Sequence, residues 1–213
     1  YLEETFQVCG YNRMHITTCF PIAVFTHDIE SNLANRIENI INPLLKTLDN
    51  VENQYTDYFS KDKIISESLI NKEDDIKTLM TLLSQYCENY VSILGIRNHK
   101  RKIQGWVQDY KEGDSHCRHN HCERIDDISG VYYISGNEEC SNIRLYNPNP
   151  FMHLHNSSVE DTQFNSQRTE LEIKKGRLYM FPSWLDHDVI QSKENGDIGR
   201  TVFAFNFIKD NEA

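Results

Sequence analysis

The sequence predicts a mainly β chain, a sandwich or barrel of short strands, with a helical layer ahead of it that covers the outside of the sheet. Three observations carry this. From Ile103 onward, β-branched and aromatic segments recur at short intervals with turn residues between them. Before them, two stretches place apolar residues at helical spacing. The length, 213 residues, suits one domain with a substantial core.

The elements follow in order. Met14 to Phe25 reads as a β segment. From Leu33 to Leu48 the apolar positions Leu33, Ile37, Ile40, Ile41, Leu44, Leu45 and Leu48 form one stripe, and Pro43 should bend or restart the helix. Asp49 to Lys72 is polar and loop-like, with a short helix expected near Ile64 to Ile70. Asp74 can cap a second helix running to about Leu94, with Ile76, Leu79, Met80, Leu83, Cys87, Tyr90 and Val91 on one side and Gly95 ending it. The basic run Arg97 to Lys102 reads as a solvated loop. Strands are expected over Gln104 to Tyr110, Ile128 to Ser135, Ile143 to Tyr146, Leu171 to Ile173, Arg177 to Phe181, Asp186 to Gln191 and Thr201 to Ile208. Asn147 to Arg168, which contains His153 and His155, reads as a long loop, either plain surface or a lid beside a site. Residues 1–213 thus form a single domain, with 1–102 as a strand and helical support and 103–208 as the β core.

Two clusters carry chemistry. In the first, Asn195-Gly196 between strand-like segments is a hairpin signal. A two-residue turn there would put Ala204 opposite His187 and Arg200 opposite Gln191. His187, Val189 and Gln191 would share a face with Arg200, Val202, Ala204 and Asn206, while Thr201, Phe203, Phe205 and Phe207 point into packing. His187 and Arg200 would then stand about 13 Å apart along the backbone, room for a small dicarboxylate.

The second cluster is His116-Cys117-Arg118-His119-Asn120-His121-Cys122-Glu123. Two His and one carboxylate leave three coordination positions open, which suits Fe(II) binding a co-substrate and O₂. His121, Glu123 and His187 fit that rule. His119, His121 and His187 would make an all-nitrogen site instead. Cys117 and Cys122 with two of the His would make a structural zinc site.

Together these motifs resemble the 2-oxoglutarate/Fe(II) oxygenase family common in bacteria and their phages, related to the prolyl 4-hydroxylases. The resemblance rests on Phe181-Pro182-Ser183-Trp184-Leu185-x-His187-x-Val189, on Arg200 and a strand reaching Phe205-Asn206, and on Ser129-Gly130-Val131-Tyr132-Tyr133. Trp106 with Gly113-Asp114 and the early Phe20-Pro21-Ile22-Ala23-Val24 add to it. It implies a double-stranded β-helix (a jelly roll, cupin-like) packed against the helices, with Fe(II), 2-oxoglutarate and O₂ as cofactor and co-substrates. His187 matches the distal iron ligand and Arg200 the partner of the far carboxylate of 2-oxoglutarate, a task that suits the guanidinium fork. The family's His-x-His falls on His119 and His121 when counted from Trp106, and on His121 and Glu123 when counted back from Ser129. Where relatives carry Ser or Thr two residues after the Arg, this chain has Val202, so Tyr133 or Tyr132 is expected to supply the hydroxyl. The implied activity is hydroxylation of an unidentified prime substrate, peptidyl proline by analogy, with release of succinate and CO₂. The contrasting reading is a non-catalytic jelly-roll binding or structural module whose histidine cluster is a structural zinc site or a vestige.

Composition narrows the rest. Asp and Glu outnumber Lys and Arg 32 to 22, for a net charge of −10, which argues against general nucleic-acid binding. Six Cys without the spacing of a secreted framework point to a reducing cytoplasm. No apolar run is long enough to span a membrane, and no secretory signal is visible, although the chain begins at Tyr1 rather than Met.

Overall fold

A computed structural model describes residues 3–7, 13–17, 21–48, 74–97, 99–110, 115–121, 127–137, 140, 142–153, 160, 162, 165–190 and 200–210. Two short strands, β1 (Glu3–Gln7) and β2 (Arg13–Thr17), pair with each other. They are followed by β3 (Phe25–Asp28), α1 (Ser31–Leu48) and α2 (Asp74–Ile93). The strand-rich part comprises β4 (Arg101–Tyr110), β5 (His116–His119), β6 (Ile128–Tyr133), β7 (Ile143–Tyr146), a single 3₁₀ turn (Pro150–His153), β8 (Arg168–Leu171), β9 (Arg177–Pro182), β10 (His187–Val189) and β11 (Arg200–Lys209).

The strands build two antiparallel sheets that face each other, a double-stranded β-helix. The larger has the order β3-β9-β6-β11-β4 and the smaller β5-β10-β7-β8. The helices cover the outer face of the larger sheet. Their apolar stripes, Leu33, Ala34, Ile37 and Ile41 from α1 and Ile76, Leu79, Leu83, Cys87, Tyr90 and Val91 from α2, pack on Ile128, Tyr132, Leu178, Met180, Phe203, Phe205 and Phe207. The Tyr90 hydroxyl donates to the Ala23 carbonyl at 2.6 Å, which ties α2 to the lead-in of β3. A second apolar cluster, including Val131, Ile143, Leu145, Tyr179, Phe181, Leu185 and Val202, fills part of the space between the sheets.

Two glycines are required by this packing. Gly176, at φ +82°, turns the chain into β9, and a Cβ there would lie 2.7 Å from the Ile29 carbonyl. Gly130 lies under the Phe205 ring, where a Cβ would stand 2.2 Å from Cζ.

Several expectations need correction. β10 and β11 do not pair with each other. β10 pairs with β5 and β7 in the smaller sheet, and β11 with β4 and β6 in the larger. His187 therefore faces His119 and Leu145 in register, while Ala204 faces Trp106 and Val131. Both edges of β11 are taken, and ten residues separate the two strands, so the connection crosses between sheets. The Asn195-Gly196 turn itself lies outside the described residues, as do Asp49 to Lys72 and the helix expected within them. The β segment expected from Met14 to Phe25 corresponds to β2 and the first residue of β3, with 21–24 in no regular element. The α1 helix continues through Pro43. β8 begins three residues before the expected Leu171. Arg101, expected in a solvated loop, opens β4 with its side chain fully buried, 3.8 Å from Asp127.

Candidate active site

The cleft between the sheets draws one wall from each. On the smaller sheet, His119 of β5 and His187 of β10 are cross-strand partners, so their side chains leave the sheet on the same face. The next pair is Val189 with His116, three residues along β5 against two along β10. That extra residue is a β-bulge. It brings His116 onto the inner face beside His119, their rings stacked at 4.0 Å, and leaves Cys117 and Arg118 exposed. His121 lies just past the end of β5, held by its N–H donating to the Ser183 carbonyl at 2.9 Å.

One ligand atom each from His119, His121 and His187 lies within 4.8 Å of the others. Two of the three rings have a defined tautomer. Nδ1 of His187 is 2.9 Å from the Leu185 carbonyl, and Nδ1 of His119 is 2.8 Å from the Cys117 carbonyl. A carbonyl only accepts, so each Nδ1 carries the proton and each Nε2 keeps a bare lone pair. Burial, then the neighbouring His119, pushes His187 down to about 3 and His121 down to about 4. Burial, followed by His119, His121 and Arg200, does the same to His116, also to about 4. His116, His121 and His187 are therefore neutral at neutral pH. This donor set fits iron, among other first-row metals that imidazole suits.

The larger sheet supplies the facing wall: Trp106, Gln108 and Tyr110 from β4, Ser129, Val131 and Tyr133 from β6, and Arg200, Val202 and Ala204 from β11. Arg200 is 3 % exposed, its guanidinium 4.2 Å from the centre of the Tyr110 ring and 5.9 Å from that of Tyr133. The Tyr133 side chain is fully buried and its hydroxyl has no hydrogen-bond partner among the described residues. Burial pushes this phenol up to about 12, so it remains a neutral donor. Tyr132 points the opposite way, into the core beneath the helices.

Of the residues singled out in the sequence, His119, His121, His187, Arg200 and Tyr133 line this one cleft. Glu123 and Cys122 lie outside the described residues. Sequence reasoning counted His116 in the ligand-rich cluster and Trp106 in the family resemblance, but gave no site role to either, nor to Gln108 or Tyr110. Alternation along Gln104 to Tyr110 marks the three β4 residues as one face, but which face turns inward depends on pairing with β11.

Comparison with known proteins bears on the fold and on the family the chain resembles. Residues 104–206 match the family described as "Putative 2OG-Fe(II) oxygenase". Over this segment the chain is similar to the 2-oxoglutarate- and Fe(II)-dependent oxygenases. A prolyl-4-hydroxylase from Pseudomonas putida superposes with a TM-score of 0.61 at 12% identity, covering 89% of each chain. The carbocyclase SnoK of nogalamycin biosynthesis gives a TM-score of 0.61 at 8% identity, over 88% of this chain and 80% of that one. HygX from Streptomyces hygroscopicus, solved with iron bound, gives 0.56 at 9% identity, over 89% and 83%. At such identities the likeness establishes the fold. No curated protein matches the sequence. Among the described residues, no helix is long and apolar enough to cross a membrane.

Proposed function

We propose that His119, His121 and His187 hold Fe(II), that Arg200 and Tyr133 hold the far carboxylate of 2-oxoglutarate, and that the enzyme hydroxylates a C–H bond of a prime substrate. Peptidyl proline is the substrate we place first, on the likeness to the prolyl-4-hydroxylase. The overall reaction balances: 2-oxoglutarate, O₂ and R–H give succinate, CO₂ and R–OH. Bound iron would supply the site at which O₂ is activated and would couple decarboxylation to oxygen insertion. One observation carries the reading: three imidazoles with ligand atoms within 4.8 Å share a cleft with a buried arginine on the facing sheet.

The chain's own residues then have distinct tasks. The Leu185 and Cys117 carbonyls fix the His187 and His119 rings with Nε2 free. Arg200 neutralises the far carboxylate and presents a planar fork to it. The Tyr133 hydroxyl takes the place of the Ser or Thr that Val202 replaces. Val131, Val202, Ala204 and Phe181 line the cleft with apolar surface and exclude water.

The test is succinate production from 2-oxoglutarate by the Fe(II)-loaded protein. Slow turnover is expected without prime substrate, and none in His187→Ala. No succinate from the folded, loaded protein overturns the reading. Glu123→Gln identifies the third ligand: turnover and metal affinity that persist assign it to His119, and their loss assigns it to Glu123. Incubation with proline-containing peptides should add the mass of one oxygen, and failure on every such peptide removes proline from the proposal.

A further inference from the structure

The three candidate ligands project from two short segments, Arg118-His119-Asn120-His121 and Asp186-His187. Backbone alternation sends His119, His121 and His187 into the cleft. The residues between and beside them are turned to the outer surface of the smaller sheet. There a single carboxylate collects them. Asp186 Oδ1 accepts from Asn120 Nδ2 at 2.7 Å. Its Oδ2 accepts from Arg118 Nε at 2.9 Å and from Nη2 at 2.7 Å. Both residues flanking His119 are thus tied to the residue that precedes His187.

The tie meets a specific need. β5 ends at His119, and Asn120 and His121 continue beyond the sheet ladder. The His121 N–H bond to the Ser183 carbonyl fixes one side of that tail. The Asn120 amide on Asp186 fixes the other. Arg118 is itself placed from a second direction, with its guanidinium 4.1 Å from the centre of the Tyr146 ring. Tyr146 in turn donates its hydroxyl to Asp188 at 2.7 Å, and its N–H donates to the Asp186 carbonyl at 2.9 Å. The chain of contacts runs across β5, β10 and β7 on the face opposite the histidines.

We propose that Asp186 is a positioning residue for the metal site, a clamp on the outer face of the sheet that sets the distance between the His119–His121 segment and His187. The proposal rests on the reading of these histidines as metal ligands. Asp186 and Arg118 keep 32% and 45% of their side-chain surface exposed. An ion pair so exposed contributes little to global stability. Its effect is therefore expected in the geometry and affinity of the metal site, where partners behind the ligands typically matter 10–100-fold.

The experiment titrates the metal-free protein with Co(II) and follows the ligand-field spectrum. Wild type, His187→Ala, Asp186→Ala, Asp186→Asn and Asn120→Ala are compared, with the melting temperature of each metal-free protein alongside. Asp186→Ala should bind Co(II) about 10–100-fold more weakly, with an altered spectrum and a nearly unchanged metal-free melting temperature. Asp186→Asn, which keeps an acceptor for Asn120, should fall between Ala and wild type. Asn120→Ala removes one of the same contacts from the other side, so it reports even if Asp186→Ala fails to fold. The Asn120→Ala/Asp186→Ala double variant should be no weaker than Asp186→Ala alone. Wild-type affinity and spectrum in both single Ala variants would overturn the clamp and leave the metal site standing. Affinity that falls only as far as metal-free stability falls would overturn it too. If wild type and His187→Ala bind Co(II) alike, the metal reading itself fails.

Discussion

The two faces of the five-stranded sheet are made by the same strands. Toward the helices, β11 sends Phe203, Phe205 and Phe207, β6 sends Ile128 and Tyr132, and β9 sends Leu178 and Met180. Toward the other sheet, β11 sends Arg200, Val202 and Ala204, and β6 sends Ser129, Val131 and Tyr133. On the helix side the space is filled to contact, so that a Cβ on Gly105 would stand 2.4 Å from the Phe203 ring. On the cleft side small residues leave room, and a guanidinium and a phenol are buried beneath it. Neighbours in one strand thus serve different ends. Stability and ligand binding should separate by strand parity.

The largest effect expected is on the helix side. Phe207 is 2% exposed within the core cluster. Phe207→Ala should lower unfolding free energy by about 3–5 kcal/mol, measured by denaturant titration, while the protein that remains folded binds 2-oxoglutarate as before. Equal damage to binding would break the separation.

Arg200→Met probes the other face. It should weaken 2-oxoglutarate binding by about 2–5 kcal/mol, measured by calorimetry on the Co(II)-loaded protein. The melting temperature without ligand should fall less than in Phe207→Ala, because Arg200 faces the cleft and lies outside the helix-side core. A large drop in that temperature would mean that Arg200 belongs to the core.

This parity was legible in the sequence, because alternation in Arg200 to Phe207 and in Ser129 to Tyr133 is a local property of the strand. So were the helix stripes, from Leu33 to Ile41 and from Ile76 to Val91. Sheet membership was not. An Asn-Gly signal between two strands is compatible with a hairpin and with a connection that crosses from one sheet to the other, and nothing local distinguishes them. His187 and Arg200 nevertheless meet across the same cleft, from facing sheets instead of adjacent strands. The bulge that turns His116 inward was hidden for a related reason. It is a mismatch between β5 and β10, so it exists only in their pairing. Arg101 looked solvated in a basic run, and its burial follows from the position of β4 against β11.

The histidines add a pH dependence confined to the cleft side. His187 falls from 6.5 to about 3, and His116 and His121 each to about 4, chiefly by burial. Between those values and 6.5 the unfolded chain binds protons that the folded chain does not. Stability without metal should therefore be fully present above about pH 6.5 and decline as the pH falls toward 4. Metal affinity should decline in the same direction, because protons compete for the same lone pairs. Melting curves of the metal-free protein across this range test the point. Replacing His116 and His187 together should flatten the profile, and an unchanged profile would place the titrating groups elsewhere.

The smallest effect sharpens the comparison most, because it removes one oxygen. The Tyr133 hydroxyl is buried without a partner among the described residues, and burying such a group unpaired is unfavourable. Its helix-side neighbour Tyr132 also buries a hydroxyl without a partner among the described residues, in the core and away from the cleft. Tyr133→Phe and Tyr132→Phe are therefore matched changes on opposite faces of one strand. Neither should lower stability, and each could raise it slightly. Only Tyr133→Phe should weaken 2-oxoglutarate binding, by about 0.5–1.5 kcal/mol, with no change in Co(II) affinity. Equal binding losses in both variants would show that the strand responds as a unit, and no loss in either would leave Arg200 to hold the carboxylate without this hydroxyl.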